Sequence, residues 1–150
     1  VNVTLITVGK NKDKALSALM DDYIKRLPFD LVIKEINPPQ CGDSERKVRE
    51  ADLIRAALPD KALVVLLDER GAVHDSIEFA RQFEGWQQKT NALVFVIGGA
   101  DGLDQSLRDT AQAVICFGRL TWPHMLVRLM LVEQLYRAHT ILTGHPYHRA

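Results

Sequence analysis

The densest chemistry in this chain lies near its end, where His145-Pro146-Tyr147-His148-Arg149 sets imidazoles, a phenol and a guanidinium side by side. Imidazole moves protons near neutral pH, a guanidinium holds phosphate or developing negative charge, and a phenol donates hydrogen bonds. Taken alone, such a tail also reads as a docked or frayed chain end. A second stretch with chemical promise is Phe117-Gly118-Arg119-Leu120-Thr121-Trp122-Pro123-His124. It joins a short apolar run, Ala113 to Phe117, to a long helical run from Pro123 to about Leu142. Proline suits a first helical turn, where its missing N–H costs nothing. A loop feeding a helix N-terminus, followed by a basic polar tail, reads as a site.

Net charge is zero, with 19 basic and 19 acidic residues, so bulk electrostatics do not mark a nucleic-acid binder. The distribution is more informative. After Asp109 the only acidic side chain is Glu133, against Arg119, Arg128, Arg137 and Arg149, and His124, His139, His145 and His148 fall in the same stretch. A locally basic face of this kind suits phosphates, although a solvated helix with segregated charge gives the same pattern.

The elements that must position these groups follow from periodicity. Val1 to Val8 is β-branched and ends at Gly9, which predicts a strand. Leu16, Leu19, Met20, Tyr23, Ile24 and Leu27 recur at helical spacing before Pro28. Leu31 to Ile36 reads as a second strand, and Asn37 to Gly42, with two prolines and a glycine, as a loop. Ser44 to Leu58 reads as a helix with Val48, Leu53, Ile54, Ala57 and Leu58 inward and Glu45, Arg46, Lys47, Arg49 and Glu50 outward. Ala62 to Leu67 and Leu93 to Ile97 are continuously apolar, as strands covered on both faces must be. Asp75-Ser76-Ile77-Glu78 has capping-box spacing and opens a helix to about Gln88, and a short helix spans roughly Gln105 to Ala111. Strands alternating with helices predict an α/β fold with a mostly parallel sheet flanked by helices. At 150 residues and 47% hydrophobic content, one domain over 1–150 is expected.

In a parallel sheet, ligands gather beyond the carboxyl ends of the strands. Three ends qualify: Leu67-Asp68-Glu69, Gly98-Gly99-Ala100-Asp101-Gly102, and Phe117 to Trp122. The glycine run permits close backbone approach to a ligand but lacks dinucleotide or phosphate-loop spacing, so a plain turn stays open. From Met125 to Val132 every residue except Arg128 is apolar, so this helix is expected to be buried on several sides, against the sheet and against either a second subunit or the rest of a monomer. Arg128 inside that run requires a partner. Cys41 and Cys116 lie in unlike contexts, fit neither a zinc site nor a disulfide framework, and are expected to be free thiols. With no secretory signal pattern and no membrane-length apolar run, the expected compartment is the cytoplasm.

Val96-Ile97-Gly98-Gly99-Ala100-Asp101-Gly102-Leu103, Leu120-Thr121-Trp122-Pro123-His124, Arg128, Glu133-Gln134-Leu135-Tyr136-Arg137-Ala138 and the His145 to Arg149 tail together resemble the bacterial large-subunit rRNA pseudouridine N3-methyltransferases, small enzymes of the SPOUT class. The resemblance extends over essentially the whole chain and is most specific in residues 94 to 149. It departs from the common pattern at Met125 after His124 and at Ala150. It implies a SPOUT-type α/β knot, a deep C-terminal trefoil with 94–150 as the knotted cofactor and active-site region, which is an exception to unknotted topology. It also implies S-adenosylmethionine as cofactor, held around Leu67, by Gly98 and Gly99, and by Phe117, Gly118, Arg119, Leu120, Thr121 and Trp122. A homodimer with a composite site, 23S rRNA in the ribosome as partner, no metal and no membrane complete the expectation.

Methyl transfer to N3 of pseudouridine displaces a good leaving group, so positioning carries much of the catalysis, but the N3 proton must leave. His148 is the candidate base, with Arg137 and Arg149 to stabilise negative charge or hold phosphate and Tyr147 to stack on or hydrogen-bond the base. His124 reads as shaping its loop. The same fold could instead serve tRNA, or a ribosome-binding factor without catalysis.

Overall fold

The computed structural model describes residues 1–149; Ala150 lies outside the described residues. Strands β1 (Asn2–Val8), β2 (Leu31–Ile36), β3 (Leu63–Val73), β4 (Ala92–Ile97) and β5 (Ala113–Cys116) form one sheet in the order β2-β1-β4-β3-β5. Every neighbouring pair is parallel. Parallel neighbours need crossovers, and here helices α1 (Lys14–Arg26), α2 (Asp43–Ala57), α3 (Ser76–Lys89) and α4 (Gln105–Thr110) link the strands before α5 (His124–Thr143) ends the fold.

The apolar runs are buried on both faces because alternate side chains meet different helices. Leu93, Phe95 and Ile97 of β4 pack with Phe79 and Phe83 of α3 and Leu131 and Leu135 of α5. Val94 and Val96 pack on the other side with Ala51 and Ile54 of α2 and Leu107 of α4. On its outer side α5 meets α1, where Val132 packs with Leu16 and Met20. The all-round apolar character of α5 thus has its reason: sheet, α3 and α1 cover different sides of it. Asp13 caps α1 by accepting from the Ala15 and Leu16 amides, and Asp75 caps α3 by accepting from the Glu78 amide at 2.8 Å. Pro123 is the N-cap of α5 instead of lying inside its first turn.

Two expectations are corrected. The strand predicted to stop at Leu67 continues to Val73. Leu67 pairs with Ile115, the register then shifts, and Ala72 pairs with the same Ile115 while Val73 pairs with Cys116. Gly71 crosses the Ile115 backbone so closely that a Cβ there would fall 2.5 Å from the Ile115 carbonyl carbon. Backbone cannot yield as a side-chain tip can, so Gly71→Ala is expected to lose about 2 kcal/mol or more of stability. Urea denaturation would check this; an unchanged midpoint would show that residues 72–73 are not held against β5 by this crossing.

The second correction concerns α2. Its buried residues are Glu50, Ala51 and Ile54, whereas Val48 and Leu53 are exposed. Glu50 was expected to face outward. Exposed α2 charges pair with one another, as Arg49 does with Glu45 and Arg55 with Asp52.

Candidate active site

The order β4-β3-β5 puts the carboxyl ends of three neighbouring strands together. The loops that follow or interrupt them enclose a cleft of about 410 Å³, within the range of small-molecule sites. Leu67, Gly98, Gly99, Phe117, Leu120, Thr121 and Trp122 all line it. Gly118 lines a neighbouring groove instead, and Arg119 lines neither. Trp122 Nε1 donates to the Phe117 carbonyl at 3.1 Å, folding the 117–122 loop on itself. Gly102, at φ +80°, supports the turn that closes the glycine run, with its amide donating to the Gly99 carbonyl at 3.1 Å.

The walls combine apolar surface with charges of both signs. Ile97, Ile115, Trp122 and Val127 supply apolar surface, Asp68, Glu69 and Asp101 negative charge, and Lys47, Arg70 and Arg108 positive charge. Asp68 is nearly buried and forms an ion pair with Arg108 at 3.6 Å. Arg108 also donates to the Leu103 carbonyl at 2.6 Å, so this pair ties β3 to the end of the glycine loop. Lys47 of α2 reaches the same cleft.

At the mouth, His124 opens α5 and lines the cleft. Burial, and then the positive Arg128, hold its pKa below the ordinary histidine range, which keeps the ring neutral. Arg128 is paired through both terminal nitrogens, Nη1 with Glu35 at 3.0 Å and Nη2 donating to the Val8 and Gly9 carbonyls at 2.9 and 2.8 Å, while its buried Nε has no partner among the described residues.

The tail forms a second cluster built on Glu133. Its Oε1 accepts from Arg137 Nε and Nη2 at 3.0 and 2.8 Å and from the Tyr147 hydroxyl at 3.0 Å. The Tyr23 hydroxyl lies 3.2 Å from that of Tyr147 and can donate to it; burial first, then the hydrogen bonds with Tyr23 and Glu133 and the charge of that carboxylate, push the Tyr147 pKa well up, so the phenol stays protonated. The Arg137 guanidinium stacks 4.9 Å from the Tyr147 ring centre. Arg137 Nη1 meets His148 Nδ1 at 3.1 Å. Arginine only donates, so Nδ1 is the acceptor and the proton of a neutral His148 sits on Nε2. Arg149 is exposed. None of Arg137, Tyr147, His148 and Arg149 lines the cleft of its own chain.

Between these two clusters runs an apolar groove of about 670 Å³ lined by Leu19, Tyr23, Val73, Phe79, Gly118 and Met130 among others. Pairing of Arg128 with Glu35 and of Arg137 with Glu133 also removes much of the basic character expected of the last third. Cys41 and Cys116 are free thiols. Among the described residues, no helix is long and apolar enough to cross a membrane, and no group of three or more His, Cys, Asp or Glu side chains stands ready for a metal.

Strand-end cleft and parallel sheet together are those of a SPOUT methyltransferase: a family model described as "Predicted SPOUT methyltransferase" matches residues 1–148. Among solved structures, a probable methyltransferase from Bordetella pertussis superposes with a TM-score of 0.56 at 16% identity, covering 91% of this chain and 95% of that one. A probable methylase family protein from Haemophilus influenzae gives 0.56 at 12%, covering 99% and 70%. These two likenesses show the fold. The sequence narrows the assignment. A relative from Rhodospirillum centenum is 47% identical over 97% of both chains, and one from Bradyrhizobium diazoefficiens is 47% identical over the full length of both. Both bear the name ribosomal RNA large subunit methyltransferase H. The chain belongs to this family of SPOUT methyltransferases.

Sequence reasoning missed Glu50, Lys47 and the Asp68–Arg108 pair. Glu50 and Lys47 do have a signal: with Ala51 and Ile54 they share the i, i+3, i+4, i+7 face of α2, which the apolar Val48 and Leu53 mask. The Asp68–Arg108 pair joins distant segments and has no local signature.

Proposed function

We propose that the chain transfers a methyl group from S-adenosylmethionine to N3 of a pseudouridine in large-subunit (23S) rRNA, acting on assembled ribosomes as a homodimer in the cytoplasm. The observation that carries the reading is the meeting of three strand-end loops on one cleft lined by both apolar and charged side chains. S-adenosylmethionine, when bound, would supply a methyl carbon activated by a positively charged sulfur, and the Glu69 carboxylate on the cleft wall suits that charge. Leu67, Gly98, Gly99 and the 117–122 loop would hold it, largely through backbone. The resemblance also carries the deep C-terminal knot, and the tight crossing of Gly71 over Ile115 supports it.

The tail does the acid–base work in this reading. With the Arg137 guanidinium on Nδ1, His148 has no free lone pair on that nitrogen. When Arg137 turns toward the negative charge developing on the imide of the base, Nδ1 is released to take the N3 proton. Tyr147 stacks on or hydrogen-bonds the base, and Arg149 holds phosphate. Because the tail lines none of its own cleft, it serves the cleft of a second subunit. The apolar groove, where Leu19 and Val73 are 50% and 55% exposed, supports such a dimer. All of these parts sit in one domain of 1–150.

Labelled methyl transfer to three acceptors tests the reading: ribosomes with native pseudouridines, ribosomes lacking pseudouridine, and bulk tRNA. Label is expected only in the first. Label in tRNA would move the substrate, and no label in any acceptor despite cofactor binding would favour a binding factor.

A further inference from the structure

Glu50 is buried to 4% exposure in the middle of α2, yet it has no ion-pair partner among the described residues. Its neighbour Arg46 is engaged elsewhere, with Asp43 at 3.0 Å and Asp101 at 3.4 Å. Arg46 and Lys47 act on it only at a distance, and burying a carboxylate without a direct ion pair opposes folding. Burial raises the pKa of Glu50, while the neighbouring Gly99 backbone works in the opposite direction. Folding alone gives no reason for this residue, since Ala51, Ile54, Val8 and Leu103 around it form an apolar cluster that a leucine would join.

Its position supplies a reason. The carboxylate stands behind Gly99, so close that a Cβ on Gly99 would come 3.2 Å from Oε1. Gly99 faces the cleft, and its bridge to Gly102 closes the glycine loop. The Arg46–Asp101 contact joins α2 to the same loop at its exposed edge, where it is open to water and weak. Glu50 is therefore the buried polar tie between α2 and the loop that forms one wall of the cleft.

We propose that Glu50 is a positioning residue: from α2 it fixes the Gly99 backbone and so sets the Gly98–Gly102 loop for the ligand of the cleft. This rests on the reading that the ligand is S-adenosylmethionine. A residue kept for this purpose has a signature that a merely structural one lacks: its apolar replacement separates stability from affinity.

Calorimetric titration of S-adenosylmethionine into the wild-type chain, Glu50→Leu and Glu50→Gln, paired with each protein's thermal midpoint, tests the inference. Glu50→Leu removes the buried carboxylate and is expected to unfold at or above the wild-type midpoint, yet to bind about tenfold more weakly once the polar group behind Gly99 is gone. Glu50→Gln keeps a polar side chain of the same size behind Gly99 and is expected to restore affinity to within about threefold of wild type. Wild-type affinity in Glu50→Leu overturns the inference. So does an equal loss in both variants, or a loss that accompanies a lowered midpoint in both. A wild-type chain that fails to bind S-adenosylmethionine overturns the cofactor reading itself, and this inference with it.

Discussion

Arg128→Ala is expected to destabilise the chain by about 3–5 kcal/mol, the range seen when one partner of a buried ion pair is removed. Arg128 is 1% exposed and joins three segments at once: α5, the carboxyl end of β1 through the Val8 and Gly9 carbonyls, and β2 through Glu35. Truncation leaves a cavity and strips those carbonyls of a charged donor, and each effect costs free energy separately. The lower part of the range is favoured because the Glu35 side chain is 31% exposed and keeps the Asn11 amide as a donor at 2.8 Å. Arg128→Met fills most of the space without a charge and is expected to lose less. Urea denaturation with an unchanged slope would measure both. A loss below about 1 kcal/mol for the alanine variant would rank this network with exposed surface pairs and sink the account. A second readout is local: without the Arg128 charge, His124 should titrate at higher pH than in the wild type, though burial still holds it low.

The need for such a partner was legible, because a charge inside the apolar run from Met125 to Val132 has to be answered. Its identity was not, since Glu35 and the Val8 carbonyl are far away in sequence and only the sheet order brings β1 and β2 under α5. The same division runs through the molecule. Strand and helix alternation, the aspartate caps and the three strand ends could be read because period, capping and the parallel-sheet rule are local or generic. The extension of β3 could not, because Asp68-Glu69-Arg70-Gly71 resembles a charged turn and is held as strand by non-local pairing with β5. On α2, Val48 and Leu53 drew the apolar face to the wrong side, and Glu50 was mistaken for a solvated charge. The tail's residues were visible, but the carboxylate that gathers them, Glu133, shows its role only in three dimensions.

Arg137→Ala is expected to lower methyl transfer by about 10²–10⁴-fold, the scale on which proton-transfer assistance contributes, while cofactor affinity stays near wild type. Separation of the two effects follows from geometry, because Arg137 lines none of the cleft. The variant removes the Glu133 ion pair, the stack on Tyr147 and the bond to His148 Nδ1 together. Arg137→Lys keeps the charge without the planar fork and should fall between the two. Unchanged turnover in Arg137→Ala would dismiss the tail from the chemistry. Whether the tail works on its own cleft or on a partner's is decided by mixing Arg137→Ala with Gly98→Val, whose side chain would collide with Leu103 and the Gly102 carbonyl. If a tail serves the partner's cleft, each mixed dimer contains one site with an intact cleft and an intact tail. Random pairing then restores roughly a quarter of wild-type sites from two inactive chains. If each tail serves its own chain, no pairing makes a complete site and the mixture stays inactive.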